Sequence, residues 1–254
     1  IAIRRNNSFT EPNKDLKIEW IDCDLLNLKE KMLMSSDMVV HLASEGVSPK
    51  EVEFKDMIMS NVNGTSHLVE CAVKAKIKRI IMVGTCHEYG NNSNDGKPIK
   101  ADSKLDPISY YASSKAASYF LTLAQCRKYN FEMFYGRVFS VYGDGQYKKN
   151  FWPSLKRAAL SGENFPMTSG EQIRDFIHVD AVSKELIRAC ERSDLIAGKA
   201  IVKNIATGKP KKLIDFAKYE WEKFRAKGDL LPGSIQSRLD ESFFLYPDLQ
   251  EKIL

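Results

Sequence analysis

A chain of 254 residues, 43% of them apolar and 28% charged, has the balance of an ordinary globular protein, with length for one large α/β domain or a core domain plus a small lobe. The net charge of +5 is spread over dispersed lysines and arginines, which reads as a solvated surface rather than the basic stripe of a nucleic-acid footprint. No apolar run approaches the roughly 18 residues of a membrane span, and Ile1 to Pro12 lacks the order of a signal peptide. Five scattered cysteines without a CxxC pair argue against a disulfide framework or a zinc site. A cytoplasmic protein with no nucleic-acid, membrane or metal partner is therefore expected.

In chain order, the apolar runs Ile1–Ile3, Ile18–Ile21, Met38–Leu42, Arg79–Gly84, Phe131–Val138 and Ala200–Ile205 predict buried parallel strands, because a strand covered on both faces needs no polar alternation. Between them, Asn63–Lys76 and Ser109–Tyr129 repeat Leu, Val, Ala, Phe and Tyr three or four residues apart, the spacing of a helix with a buried face. This alternation over about the first 140 residues predicts right-handed βαβ crossovers and a doubly wound α/β sheet. After Gly143 the pattern loosens. Gly, Pro and Lys punctuate Gly143–Pro153, so a smaller second lobe is expected over 141–254, with strands returning to the core of 1–140.

A dinucleotide-binding sheet opens with a strand and a GxGxxG turn, whose amides hold the pyrophosphate at a helix N-terminus. This sequence has no such turn; Gly143-Asp144-Gly145 lacks the third glycine. Ile1-Ala2-Ile3-Arg4-Arg5 reads as a second strand without its predecessor, so the expectation is a core lacking its first strand and glycine-rich turn through truncation at the N-terminus.

Tyr111 and Lys115 stand four apart in a helical stretch, which places them on one face about a turn apart. A phenol titrates near ~10; a neighbouring ammonium favours the phenolate and makes tyrosine a workable acid or base for a sugar hydroxyl or carbonyl. Alone, YxxxK is common and often inert. Thr85 follows the run Arg79–Gly84 and so falls at the carboxyl end of a strand, where open α/β folds bind ligands. Its hydroxyl would donate to the oxygen that Tyr111 protonates, unless it only caps the next turn.

Seven motifs in order carry a resemblance: His41-Leu42-Ala43, Asn61-Val62-Asn63-Gly64-Thr65, Gly84-Thr85 with Tyr89-Gly90, Tyr111 with Lys115, Arg137-Val138-Phe139-Ser140-Val141-Tyr142-Gly143, Arg174-Asp175-Phe176-Ile177-His178-Val179-Asp180 and Asn204-Ile205-Ala206-Thr207-Gly208. The set resembles the extended short-chain dehydrogenase/reductases, in particular their nucleotide-sugar epimerase, dehydratase and reductase group. The resemblance implies a Rossmann-like cofactor core over 1–140, a mainly substrate-binding lobe over 141–254, and possible homodimers through the flank of the Ser109–Tyr129 helix carrying Tyr119, Phe120 and Leu123, residues that core packing explains equally well. It also implies that Asp24 and Leu25 contact the cofactor adenine, that Ala43 and Ser44 line the cofactor, and that Asn61 supports the site. Thr85 would polarise the substrate oxygen, Tyr111 would transfer its proton, and Lys115 would hold the nicotinamide ribose and depress the Tyr111 pKa. Arg174 would pair with a substrate diphosphate, a role suited to guanidinium geometry, unless Asp175 or Asp180 takes it up.

Departures from the group's pattern narrow the chemistry. Its dehydratases carry Asp-Glu directly after the threonine, where this sequence has Cys86 and His87; a thiol is no substitute for that acid, which disfavours 4,6-dehydration. His87 and Ser140, the latter in place of an asparagine common in the group, are candidate substrate contacts. So is Arg238, within a Gly233–Asp248 tail similar to that of reductases acting on nucleotide-linked 4-keto-6-deoxy sugars. Arg4 and Arg5 follow the first run where NAD-preferring sites place an acid, which favours NADP over NAD and a nucleotide-sugar 4-ketoreductase. The alternatives are a 4-epimerase holding NAD tightly and a non-catalytic binding protein.

Overall fold

The computed structural model of the protein describes residues 1–5, 17–47, 52–93, 95–236, 242–249 and 252–253. Strand β1 (Ala2–Arg4) pairs in parallel with β2 (Trp20–Asp22), Ile3 opposite Ile21. Arg4 locks the pair by donating to Asp22 at 2.7 Å while its guanidinium lies over the Trp20 ring. Strand β3 (Met38–His41) leads into helix α1 (Phe54–Ile58), a π-helical turn (Met59–Gly64) and α2 (Thr65–Lys74). Then come β4 (Arg79–Thr85), a 3-10 segment (Cys86–Ser93), α3 (Tyr110–Tyr129), β5 (Glu132–Val138) and β6 (Ser140–Tyr142).

The later elements are α4 (Phe151–Ser161), β7 (Phe165–Met167), β8 (Ile173–Arg174), β9 (Phe176–His178), α5 (Val179–Glu191) and β10 (Ala200–Ile205). Strand β11 (Lys211–Lys212), α6 (Leu213–Lys223), β12 (Leu230–Pro232), β13 (Phe244–Leu245) and β14 (Lys252–Ile253) complete the described chain.

The main sheet has the order β14-β10-β5-β4-β3, parallel throughout except for β14. Its strands alternate between two cores, as the period of two requires. Ile80 and Met82 of β4, with Met133 and Tyr135 of β5, pack under α2 and α3 against Leu68, Val69, Tyr119 and Leu123. Ile81 and Phe134 point the other way, onto Val182, Leu186 and Ala189 of α5. Helices on both faces make this a doubly wound α/β sheet. A third cluster, including Leu155 and Ala158 of α4, Met167 of β7 and Trp221 of α6, forms separately.

The sheet of α/β units was legible in the apolar runs, with two differences. Strands β1 and β2 form their own two-stranded sheet among the described residues, with no more than partial burial. The helical region before β4 begins at Phe54 and passes through the π turn, rather than starting at Asn63. Helix α3 runs almost as its spacing predicts because both ends are fixed: Ser109 Oγ accepts the Ala112 amide, and Asn130 takes the left-handed conformation at the C-cap. Of its proposed dimer seam, Tyr119 and Leu123 are core residues, while Phe120 is 56% exposed.

Gly84, the penultimate residue of β4, lies where a Cβ would come within 2.3 Å of Tyr135 Cε1 and 2.5 Å of Glu88 Oε1. Gly84→Ala is expected to destabilise the protein by about 1–3 kcal/mol, the usual range for overpacking. Thermal unfolding measures it, and an unchanged midpoint would show that Tyr135 and Glu88 yield freely.

Candidate active site

The carboxyl ends of β3 and β4 and the start of α3 meet in one region. Thr85 is the last residue of β4 and buried. Its amide donates to Glu88 Oε1 at 2.8 Å, and its Oγ accepts the His87 amide at 3.4 Å, so the chain turns immediately into the 3-10 segment. The turn is tightened at Gly90, where φ is +50° and a Cβ would sit 1.8 Å from the Asp106 carbonyl oxygen; only glycine fits there.

On the neighbouring strand end, Ala43 is exposed and Ser44 half-buried. Buried Asn61, from the π turn, accepts the Glu45 amide at 2.8 Å and the Ser44 hydroxyl at 3.3 Å. It donates to the Glu45 carbonyl and to Ser114 Oγ, each at 2.9 Å. One amide thus ties the loop after β3 to helix α3. A π turn, with its wider spacing, is often found where a side chain must be aimed out of register. His41, buried at the end of β3, hydrogen-bonds Thr65 Oγ1 at 2.9 Å. Burial, helped by the positive charge of Lys115, lowers its pKa to about 3.

Tyr111 and Lys115 lie on the first turns of α3. The Tyr111 hydroxyl hydrogen-bonds Ser44, and its ionisation is opposed by the nearby Glu88 and Cys86. Lys115 is buried, feels the charge of Glu88, and itself opposes protonation of His41. Burial pushes Tyr111 up to about 12, against the Ser44 hydrogen bond that favours the phenolate. This corrects the expectation that Lys115 holds it below the ordinary phenol value: removal from water dominates, and the charged forms of Glu88 and Cys86 add to it. Burial also lowers the pKa of Lys115, with Glu88 working against the shift. At neutral pH Tyr111 is therefore an O–H donor.

Arg174, on β8, is buried and donates to the carbonyls of Ile173 at 2.9 Å and Phe243 at 3.0 Å, and to that of Ser242. Its charge reaches Cys86, whose thiol burial nevertheless pushes up to about 12. Asp175 is taken up elsewhere, by the Thr207 amide and hydroxyl and the Lys209 amide. Ser140 is half-buried on β6 and pairs with Phe176, next to Asp175. His87 is exposed. Arg238 lies outside the described residues.

Asp24 caps the short 3-10 turn Leu25–Asn27 by accepting the Leu26 amide at 3.0 Å, and Leu25 packs against Gly64. Arg4 is ion-paired with Asp22 and Arg5 with Glu45. A cavity of about 820 Å³ opens here, lined among others by Arg5, Asp24, Glu45, Glu53, Asp56 and Tyr110. Four carboxylates and one arginine suit acceptance of ribose hydroxyls better than the holding of an additional phosphate. The cavity is compatible with the nucleoside end of a dinucleotide but adds nothing to the case for a 2′-phosphate.

Sequence reading passed over Glu88, which is fully buried and ion-paired with Arg137 at 2.7 Å. The available signal was Arg137 itself: a permanently charged residue inside the apolar run Phe131–Val138 requires a buried counter-charge.

The doubly wound sheet, with its candidate residues gathered at strand ends, defines a Rossmann-like α/β protein. The chain belongs to the NAD dependent epimerase/dehydratase family, whose model matches residues 1–206, within the extended short-chain dehydrogenase/reductases. It is 27% identical over 218 residues to a trifunctional UDP-glucose 4,6-dehydratase/UDP-4-keto-6-deoxy-D-glucose 3,5-epimerase/UDP-4-keto-L-rhamnose-reductase of Arabidopsis thaliana, a match covering 83% of this chain and 32% of that protein. It spans 60% of a Methanocaldococcus jannaschii relative to which it is 29% identical. Among solved structures, MoeE5 in complex with UDP-glucuronic acid and NAD superposes with a TM-score of 0.80 at 29% identity, over 91% of this chain and 76% of that one. The UDP-N-acetylglucosamine 4-epimerase of Methanobrevibacter ruminantium gives 0.82 at 25% identity, over 91% and 74%. Among the described residues no helix is long and apolar enough to cross a membrane.

His41 makes stability depend on pH. Its folded pKa of about 3 lies below the ordinary imidazole value of 6.5, so between these values the unfolded chain takes up a proton that the folded chain refuses. Stability is full above pH 6.5 and falls as the pH drops below it. From pH 7 to pH 5 the His41 contribution is about 2 kcal/mol. Denaturant unfolding of His41→Gln should show that much less loss over this interval than the unsubstituted protein; equal losses would remove His41 as the source.

Proposed function

We propose that this chain carries the redox site of a nucleotide-sugar oxidoreductase, which reduces the carbonyl of a 4-keto-(6-deoxy)hexose linked to a nucleoside diphosphate. The observation that carries the reading is the arrangement at the carboxyl end of the sheet: Thr85 is buried at the end of β4, and the first turns of α3 carry Tyr111, hydrogen-bonded to Ser44 in the loop after β3, and buried Lys115. A nicotinamide cofactor, NADP or NAD, would supply the hydride when bound. Lys115 and Tyr111 would hold its ribose end, with Ala43, Ser44 and Asn61 beside them and Asp24 and Leu25 toward the adenine.

The protein's own part is proton delivery and charge stabilisation. Tyr111, protonated at neutral pH, gives its proton to the carbonyl oxygen as negative charge develops there. The Thr85 hydroxyl donates a hydrogen bond to the same oxygen, and Lys115 adds a fixed positive charge nearby. Arg174 would meet the substrate diphosphate, with His87, Ser140 and Arg238 as further contacts, so that 141–254 mainly holds substrate and 1–140 mainly cofactor. Cys86, a neutral thiol at the place of the dehydratase acid, disfavours water elimination. Pairing into homodimers would use the exposed Phe120 side of α3.

A second reading, 4-epimerisation with retained NAD, is favoured by the engagement of Arg4 with Asp22 and of Arg5 with Glu45, which a 2′-phosphate would have to displace. A panel of nucleotide 4-ketosugars with NADPH or NADH, followed by nicotinamide absorbance, separates the two: net consumption of reduced cofactor supports the reductase, and sugar inversion without it supports the epimerase. In the active pairing, Tyr111→Phe is expected to lower kcat by about 10²-fold or more while leaving cofactor affinity nearly unchanged. Undiminished turnover would take Tyr111 out of the mechanism.

A further inference from the structure

Ser114 lies in sequence between Tyr111 and Lys115, fully buried near the start of α3, and none of the roles above uses it. Its hydroxyl is engaged on both sides. It donates to the Tyr111 carbonyl oxygen at 2.8 Å and accepts Asn61 Nδ2 at 2.9 Å. Ser118 and Thr122 follow at intervals of four on the same face of α3 and are as deeply buried, yet their hydroxyl oxygens make no hydrogen bond among the described residues. Of three buried hydroxyls in one row, the one beside Tyr111 is held at both its donor and its acceptor.

The partner that reaches Ser114 is itself saturated. A carboxamide has two N–H donors and two acceptor lone pairs. Asn61 uses its Nδ2 on the Glu45 carbonyl and Ser114 Oγ, and its Oδ1 on the Glu45 amide and the Ser44 hydroxyl. A buried amide with all four positions taken has one orientation, because any rotation would orphan a polar atom where water cannot replace the partner. The loop it holds is also pressed against α1: a Cβ at Gly46 would come within 2.6 Å of Met57 Cε. Asn61 is thus a fixed anchor, and Ser114 passes its hold to the Tyr111 carbonyl. A serine that bonds back to a carbonyl one turn earlier also sets the local bend of its helix.

We propose that Ser114 is a positioning residue for the redox site: its hydroxyl couples the Asn61 carboxamide to the Tyr111 carbonyl and so fixes the first turn of α3 against the loop Ala43–Glu45. The proposal rests on the redox reading for its functional meaning but not for its physical test. Tyr111 and Lys115 leave the helix one turn apart around this contact, and the loop opposite carries Ala43 and Ser44, proposed above to lie beside the cofactor. Loosening the contact moves the proton donor relative to the sugar carbonyl without removing any group that reacts. A misplacement of about 1 Å can cost roughly 10²-fold in rate.

The experiment is a ¹⁹F spectrum of the chain labelled with 3-fluorotyrosine, the line of Tyr111 among the 10 tyrosines being assigned by its loss in Tyr111→Phe. In Ser114→Ala the Tyr111 line is expected to move by more than its width, and in Ser114→Thr, which keeps the hydroxyl, to return to or near its original place. Leu186→Ala, in the core beneath α5 on the other face of the sheet, is the control: it lowers stability without touching Ser114, so the Tyr111 line stays. An unmoved line in folded Ser114→Ala overturns the proposal. So does equal movement in Leu186→Ala, which would reduce Ser114 to a contributor to general stability, and so does displacement to the same place in Ser114→Thr, which would show that the hydroxyl is not what holds the turn. If Ser114→Ala does not fold, Ser114→Cys, whose thiol is only a weak donor and acceptor, is read by the same criterion.

Turnover is read separately. With an active substrate pairing, Ser114→Ala is expected to lower kcat about tenfold or more while KM for the nucleotide sugar changes little, and Ser114→Thr to recover most of the loss. A displaced line with kcat unchanged overturns the positioning role. A displaced line in a protein that turns over no nucleotide sugar would uphold the coupling through Ser114 and sink the redox reading, whereas an unmoved line with turnover intact would do the reverse.

Discussion

Arg137 cannot shed its proton, and it sits where water does not reach. A guanidinium in that position is tolerable only when a carboxylate and several acceptors meet it, since breaking a buried pair by removing one partner commonly costs about 3–5 kcal/mol. Glu88 meets the Nε edge, the Ala101 carbonyl and the Tyr89 hydroxyl meet the NH1 end, and three aromatic faces enclose the plane. Burial works against the charge, yet Glu88 and the phenols outweigh it and raise the Arg137 pKa above its ordinary value. These partners come from the 3-10 segment after β4, the turn at Ala101, helix α3 and strand β5 itself. Satisfying one cation therefore fixes the segment after β4, the strand β5 and the helix α3 relative to one another.

The same network reaches the distal segment that faces Arg174. The Tyr89 hydroxyl donates to Asn204 Oδ1 at 2.6 Å, and Asn204 Nδ2 donates to the Ile99 carbonyl at 2.8 Å. Ile99 in turn exchanges backbone hydrogen bonds with Tyr246 and Asp248. The stretch it holds includes Ser242 and Phe243, whose carbonyls accept from Arg174. One buried chain of polar contacts thus connects the strand end bearing Thr85 with the cradle of the proposed diphosphate arginine. Networks of this kind rigidify when every member is satisfied, which suits a site whose proton donor and charge partners must hold their geometry.

The sheet was legible in the sequence because buried parallel strands are nearly continuous apolar runs, and β3, β4, β5 and β10 fall within a residue or two of their predicted limits. Helix α3 was equally clear, since Ser109 and Asn130 are capping residues at the two ends of an unbroken pattern. The π turn was not, because a one-residue widening leaves no mark on hydrophobic spacing while it redirects Asn61. The separation of β1 and β2 from the main sheet was also invisible: pairing partners are decided by long-range contacts that a strand's own composition does not encode. For the candidate site, spacing and strand position pointed to Thr85, Tyr111 and Lys115, which the fold carries at the end of β4 and on the first turns of α3. Glu88 was missed because a glutamate beside turn residues looks like surface, and only its geometry against Arg137 shows it to be interior.

Spacing alone misjudged the sign of the Tyr111 shift, and the correction bears on direction of reaction. A phenol one helical turn from an ammonium would be lowered if both were solvated, giving a base suited to taking a proton from a sugar hydroxyl. In this fold Tyr111 is mostly desolvated, and that burial, with Glu88 and Cys86 adding to it, raises the phenol to about 12. A group that holds its proton until negative charge appears opposite it is better prepared to give than to take. A protonated Tyr111 at rest is the state that the proposed reduction would need, with Thr85 and Lys115 in the roles proposed for them.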